Sequence, residues 1–133
     1  MLRSHVLLCL LLPLMLSLSA FRDAPLVDPA PIAIPTGVGD AQVAKAVRQA
    51  LLARQWTVAA EQPGLIRGHL TLREHTANID IAWIGGQSQI RYVSSNNLKF
   101  DNDNGQRSIH KNYLGWINNL VADINGNLTL LAT

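Results

Sequence analysis

Cysteine is nearly missing from this chain. Its 133 residues include one, Cys9, which lies inside an apolar run near the N-terminus. The rest of the sequence therefore has no disulfide and no thiolate for catalysis, for a zinc–thiolate site or for an iron–sulfur cluster. Proteins whose fold or activity depends on cysteine are excluded.

Charged residues are also scarce. Eleven Lys and Arg stand against nine Asp and Glu, which gives a formal net charge of +2, and no block of basic residues occurs. The electrostatic footprint of a nucleic-acid-binding or membrane-surface protein is therefore missing, and we expect no nucleic-acid partner.

Common catalytic motifs do not occur. The chain has no Gly-x-Ser-x-Gly elbow and no glycine-rich phosphate loop that opens a helix. Its two glutamates, Glu61 and Glu74, are far apart in sequence and do not indicate a catalytic pair of carboxylates. We expect no cofactor and name no catalytic residue.

A metal site is not expected either. The run Asp101–Gly105 begins like a calcium loop, but its sixth and twelfth positions hold Gln and Asn where an EF-hand needs Gly and Glu. His69, His75 and His110 fall on different predicted elements, whereas zinc needs converging ligands.

The longest apolar run stands at the start of the chain. Arg3 and His5 precede it, residues 6–16 are apolar, and small residues follow as far as Ala20. This order is typical of a secretory signal peptide, and the run is too short to span a bilayer comfortably. We expect a leader over residues 1–20, a periplasmic or secreted protein, and membrane contact only before cleavage.

Proline marks the next segment. Residues 21–39 contain four of the six prolines and show little periodicity, which favours an extended linker. A domain over residues 40–126 is expected to follow, long enough for one modest core. Residues 127–133 are expected to form an apolar C-terminal tail.

Apolar residues at helical spacing predict two helices. The first covers residues 41–54 with Asp40 as its N-cap. The second covers residues 109–124, with Ser108 as its N-cap and Asn125-Gly126 as its C-terminal stop.

Alternation of apolar and polar residues predicts the strands. The expected fold is α+β, a small two-layer sandwich whose antiparallel sheet of three to four strands is covered on one face by the N-terminal and C-terminal helices. The strands and turns are residues 56–60, a turn at Gln62-Pro63-Gly64, residues 66–73, residues 76–83, a hairpin at Gly85-Gly86, and residues 89–92.

Strand pairing predicts a charged row on the polar face of this sheet. A hairpin tip at Glu74-His75 would place His69 opposite Asp80, and the tip at Gly85-Gly86 would place Asp80 opposite Arg91. This face is either a solvated surface with cross-strand charge pairs or a binding face for an anionic or polar envelope ligand.

The stretch from Ser94 to Gly105 is rich in Asn, Asp and Ser, which favour turns. One interpretation is a structured connection whose side chains satisfy backbone groups and the start of the second helix. The other is a binding site. The candidate binding residues in the whole chain are Arg73, His75, Asn97, His110, His69, Asp80 and Arg91.

Several short motifs occur in a fixed order between residues 42 and 124. With them the chain resembles a family of small exported proteins of proteobacteria, many of them predicted lipoproteins. The matching positions are Gly64 and Ile66; Arg73, His75 and Ala77; Ile90, Arg91, Tyr92, Ser95, Asn97, Leu98 and Phe100; and Ile109, His110, Tyr113, Trp116, Ile117 and Leu120.

The resemblance implies location and fold, since the family has no established activity. This chain departs from the pattern in having no lipid-acceptor cysteine at the end of its leader, which favours a soluble periplasmic protein. Phe100 also stands where Tyr is more usual.

Two classes of function remain open from the sequence. The first is a non-enzymatic binding or structural module of the cell envelope, with an envelope protein or a small ligand as its partner. The alternative is a small metal-dependent or hydrolytic enzyme that uses His75, His110 and the Asn/Asp-rich loop.

Overall fold

The structure, a computed structural model, describes residues 23–132. The expected leader and the last residue of the expected tail lie outside this range. The described chain is α+β, with two helices and two antiparallel sheets of five and three strands, which confirms the predicted class. The elements are β1 (Asp23–Pro25), β2 (Ile32–Ala33), α1 (Asp40–Ala53), β3 (Thr57–Gln62), β4 (Leu65–Leu72), β5 (His75–Ile84), β6 (Gln87–Asn96), β7 (Asp101–Asp103), β8 (Gln106–His110) and α2 (Lys111–Leu131).

The larger sheet has the strand order β2-β6-β5-β4-β3. Two predicted turns are confirmed within it, because β3 and β4 are joined at Pro63-Gly64 and β5 and β6 at Gly85-Gly86. Gly64, Gly85 and Gly86 have φ of 75°, 59° and 78°. Glycine reaches these values without strain because it has no Cβ.

The tip of the β4–β5 hairpin differs from the prediction. It lies at Arg73-Glu74, one residue earlier than expected, and Arg73 takes the left-handed φ of 55°. The pairing therefore moves by two residues, so that His69 faces Asn78 and Asp80 faces Arg67. The predicted pair His69–Asp80 was wrong, because the sequence does not reveal that an arginine accepts the left-handed position.

The segment predicted as a linker takes part in both sheets. Strand β1 pairs with β8, and β2 pairs with the outer edge of β6. Leu26 and Ile32 are buried in the core, and a carboxylate oxygen of Asp28 accepts the Tyr92 N–H at 3.0 Å. Proline has no backbone N–H and disfavours helix, but it is tolerated in an edge strand, because the N–H groups on the outer side of such a strand need no partner strand.

The smaller sheet has the order β1-β8-β7 and was not predicted. Its β7–β8 hairpin turns at Asn104 and Gly105, with φ of 51° and 86°. Asn-Gly is a strong signal for a two-residue hairpin. The sequence therefore contained the signal, but the short polar strand β7 shows no apolar alternation that would have supported it.

Both helix starts differ from the prediction, and so does the end of α2. Gly39, not Asp40, is the N-cap of α1, where the side-chain oxygen of Gln42 accepts the Gly39 N–H at 3.1 Å. The helix α2 continues through Gly126 to Leu131. Glycine inside a helix costs about 1 kcal/mol, and burial of residues on both sides of it outweighs that cost.

One core contains buried residues of both helices and of the larger sheet. Helix α1 contacts β3, β4 and α2, whereas α2 also contacts β2 and β8. On the C-terminal part of α2, Asn127 donates its side-chain N–H to the backbone oxygen of Ala46 in α1 at 3.0 Å. The buried residues of α2 are Tyr113, Ile117, Leu120, Ile124 and Leu128.

Helix α1 packs tightly against the sheet at Gly68. A Cβ at this position would lie 2.9 Å from Leu51 Cδ2 of α1 and 3.3 Å from Ile79 Cγ1 of β5. Both neighbours are fully buried and have little room to move. Gly68 therefore permits the helix to pack this close to β4.

We expect Gly68→Ala to lower the free energy of unfolding by about 1–3 kcal/mol, because the added methyl overfills a closed part of the core. Gly115→Ala is the matched control, since nothing lies within 4 Å of a Cβ at this helical position. It should raise stability by about 0.5–1 kcal/mol. Urea denaturation measures both, and a neutral Gly68→Ala would show that α1 packs less closely than described.

Candidate functional site

A row of hydrogen-bonded side chains crosses the polar face of the larger sheet. His69 Nδ1 lies 2.7 Å from Asn78 Oδ1, and His69 Nε2 lies 3.0 Å from the hydroxyl of Thr71. Asn78 Nδ2 donates to Ser94 Oγ at 3.0 Å. We call Thr71, His69, Asn78 and Ser94 the polar row. It connects β4, β5 and β6.

The polar row has a direction. Asn78 Oδ1 can only accept, so His69 Nδ1 donates to it. Because Ser94 Oγ accepts from Asn78, the hydroxyl proton of Ser94 is left to point elsewhere. The row therefore ends in a donor on β6.

An ion pair lies beside the polar row. Arg67 Nε and Nη2 donate to the two carboxylate oxygens of Asp80 at 2.7 and 3.0 Å. This bidentate contact raises the pKa of the Arg67 guanidinium, first through the hydrogen bond and then through the charge of Asp80. Asp80 also faces Arg91 across the β5–β6 ladder, as predicted, although no ion pair between the two is seen in the described chain.

A β-bulge on β6 changes which side chains share this face. Ile79 pairs with Tyr92 and Asn78 with Ser94, so Val93 is an extra residue without a partner on β5. In a regular strand, positions 91 and 94 would lie on opposite faces. The bulge places Arg91 and Ser94 on the same face as Asp80 and Asn78.

Two of the predicted site residues, His75 and Asn97, do come together. His75 Nδ1 lies 2.6 Å from the backbone oxygen of Asn97, which has a left-handed φ of 60°. The next carbonyl, that of the buried Leu98, accepts the His110 N–H at 2.8 Å. These contacts hold the chain between β6 and β7 against the β4–β5 hairpin and the end of β8.

His110 is the N-cap of α2. Its Nδ1 accepts the Asn112 N–H at 3.1 Å, which satisfies one of the free donors at the helix start. Ser108, the predicted cap, lies within β8 and pairs with Pro25 and Asp101. The prediction failed because β8 extends to the residue immediately before the helix.

Three aromatic rings pack beside this connection. Tyr92 stacks on Phe100 with ring centroids 4.7 Å apart and meets Tyr113 edge-on at 5.6 Å. The Tyr92 hydroxyl lies 2.7 Å from Ser95 Oγ. Burial raises the pKa of Tyr113. These rings are motif positions of the resemblance, and in the structure they pack the junction between the two sheets.

The predicted binding residues therefore divide into separate groups. His69, Asp80 and Arg91 lie on the polar sheet face, whereas His75, Asn97 and His110 tie the β6–β7 connection in place. Arg73 stands exposed at the β4–β5 tip, between Thr71 and His75 along the chain, and no side-chain hydrogen bond or ion pair joins it to either group within residues 23–132. Sequence reasoning missed Asn78 and Ser94, because their role depends on the bulge and on the corrected hairpin register.

The five grooves described along residues 23–132 are not lined by these histidines. Within residues 23–132, no cluster of three or more His, Cys, Asp or Glu is arranged to hold a metal ion. An apolar groove of about 170 Å³ lies elsewhere, between the segment that follows α1, strand β4 and helix α2, and Trp56, Leu70 and Trp116 line it. Neither described helix is long and apolar enough to cross a membrane.

No protein-family model, curated protein or solved structure matches this chain.

We expect His110→Ala to lower the free energy of unfolding by about 0.5–2 kcal/mol, because the start of α2 loses its cap. His110→Asp should restore most of this loss, since Asp is among the strongest N-caps. Ser108→Ala is the control and should change stability by less than about 0.5 kcal/mol. Thermal or urea unfolding measures all three, and a larger loss for Ser108→Ala than for His110→Ala would contradict this assignment.

Proposed function

We propose that this protein is an exported, non-enzymatic module of the cell envelope that binds a polar ligand or partner through the polar face of its five-stranded sheet. The observation that carries the proposal is the polar row, in which hydrogen bonds join side chains from three neighbouring strands. Side chains that are already held lose less conformational entropy on binding. The face is therefore preorganised for recognition.

The proposal includes a two-layer arrangement in which both helices cover the apolar face of the sheet. Leu51 of α1 approaches Gly68 on that face, beside Ile79. Tyr113 of α2 packs against Tyr92, the cross-strand partner of Ile79. Cross-strand partners share a face, so these contacts support both helices lying on one side. The polar row would then stand on the open side.

The composition of the open side supports a polar ligand. Its side chains on β4 to β6 are mostly Thr, Asn, Ser, Gln, His and Arg, and no Phe, Tyr or Trp stands on it in the described strands. An apolar docking partner would need a larger exposed apolar patch. Polar contacts between side chains and the ligand are therefore the proposed source of specificity.

Export is proposed from the leader and from the resemblance to small exported proteins. The chain has a basic start, a short apolar run and a small-residue exit in that order. Protein recovered from the periplasm or the medium should begin near residue 20. Intact-mass measurement checks this expectation, and a mass that still includes residues 1–19 would contradict it.

The binding face can be tested by blocking it. After export the chain would have no cysteine, so Thr71→Cys introduces a single thiol at the exposed end of the polar row. A bulky polyethylene-glycol maleimide on this thiol should abolish co-sedimentation of the protein with isolated cell envelopes, because it covers the face.

The matched control is Gln49→Cys, which carries the same label on an exposed position of α1. This labelled protein should co-sediment like the unlabelled one. Equal co-sedimentation of both labelled proteins would overturn the assignment of the face, and loss of co-sedimentation in both would indicate that the label acts without regard to its position. Circular dichroism of each variant confirms that both remain folded.

A further inference from the structure

The geometry points to an oxyanion subsite made by Arg91 and Ser94 on the polar face, where the ligand presents a carboxylate or phosphate group. This inference rests on the proposed function, because it names the chemistry that the polar face recognises. It depends on three features: an arginine left without its expected partner, a hydroxyl whose proton is free to donate, and a bulge that puts the two side by side.

Arg91 is left without an ion pair because its neighbour is already engaged. Asp80 faces it across the ladder, but Arg67 occupies both oxygens of that carboxylate. Bidentate arginine–carboxylate pairs are among the stronger charge-assisted contacts. Arg91 is exposed and makes no ion pair within residues 23–132. Its guanidinium can therefore turn to a ligand.

Ser94 supplies the second donor. The direction of the polar row makes Ser94 Oγ an acceptor from Asn78, so its hydroxyl proton needs an acceptor outside the row. Ser94 is exposed, and no protein acceptor for that proton is seen in the described chain. An oxygen of a bound oxyanion would satisfy it.

The Val93 bulge sets the spacing between the two donors. Their partners Asp80 and Asn78 are two residues apart on β5, so Arg91 and Ser94 stand next to each other on one face, roughly 6–7 Å apart at their Cα atoms. An arginine side chain is long enough to bring its guanidinium beside the serine hydroxyl. Bulges recur where a strand must redirect a side chain towards a site.

The surrounding charges favour an anion. Of the side chains that β3 to β6 place on this face, Asp80 is the one carboxylate, and it is neutralised by Arg67. Glu61 on β3 shares the other face with Ile66 and pairs with Arg48 of α1. Beyond these strands, the carboxylate of Asp28 accepts the N–H of Tyr92 beside Arg91 and lies 3.7 Å from the guanidinium of Arg107. Among the side chains of the strands themselves, Arg67, Asp80 and Arg91 together give one net positive charge.

The test is a titration of the exported protein with inorganic phosphate, followed by backbone amide NMR at constant ionic strength. Acetate forms a second arm, and sodium chloride and glucose serve as probes without an oxyanion. We expect phosphate and acetate to shift amides of β5 and β6 around residues 78–80 and 91–94, and the other two probes to leave them in place. Shifts with sodium chloride or glucose as large as those with phosphate would overturn the proposal.

Variants separate this subsite from general attraction between charges. Arg91→Gln should weaken phosphate binding about tenfold because it removes the positive charge, and Ser94→Ala about threefold or more because it removes a donor to a charged group. Arg73→Gln removes the same charge at the exposed β4–β5 tip and should leave binding unchanged. An equal effect of Arg91→Gln and Arg73→Gln would overturn the subsite.

These experiments also distinguish failure of the oxyanion subsite from failure of the proposed function. If the label at position 71 blocks envelope binding but Arg91→Gln neither weakens phosphate binding nor reduces co-sedimentation, the face binds a neutral ligand and the oxyanion inference is wrong. If phosphate binding depends on Arg91 but the label does not affect co-sedimentation, the oxyanion subsite stands and the proposed role in envelope binding is wrong.

Discussion

Strand β6 contains one more residue than its ladder with β5 can pair, and the arrangement of the molecule depends on where that residue is placed. Val93 is left out, so Tyr92 still faces Ile79 on the apolar side while Ser94 faces Asn78 on the polar side. A slip of one residue in a strand exchanges its two faces. The bulge has this effect within β6: residues before Val93 and residues after it follow opposite alternations between the two faces. It lies where the strand passes from the core to the junction between the two sheets.

The contacts that follow along the chain depend on this exchange. Tyr92 stays on the apolar side, where it meets Tyr113 of α2 and stacks on Phe100 beyond the strand. The chain then leaves β6 in a direction that lets His75 bond to the Asn97 carbonyl, and it enters the β7–β8 hairpin. On the polar side, the same exchange completes the row that ends at Ser94. The bulge at Val93 therefore affects both the junction between the two sheets and the candidate binding face.

The sequence predicted elements that depend on local patterns and missed those that depend on distant partners. Alternation and glycine pairs were enough for the β5–β6 hairpin and for the pair Asp80–Arg91. The tip at Arg73-Glu74 was not predicted, because no sequence signal marks an arginine with a left-handed φ. The partner of His69 was therefore also predicted wrongly. Strands β1 and β2 lie in a proline-rich stretch without apolar alternation, so the sequence did not predict them. Each forms by pairing with a distant strand, β1 with β8 and β2 with the edge of β6.

The position of the bulge is tested most directly by the register of β5 against β6, read from cross-strand nuclear Overhauser effects between backbone protons. We expect contacts of Ile79 with Tyr92 and of Asn78 with Ser94, with Val93 unpaired. Contacts of Asn78 with Val93 would indicate a regular hairpin that continues unbroken from Gly85-Gly86. That result would place Ser94 on the other face of the sheet and break the polar row. It would contradict the described packing at the junction between the two sheets and the candidate site.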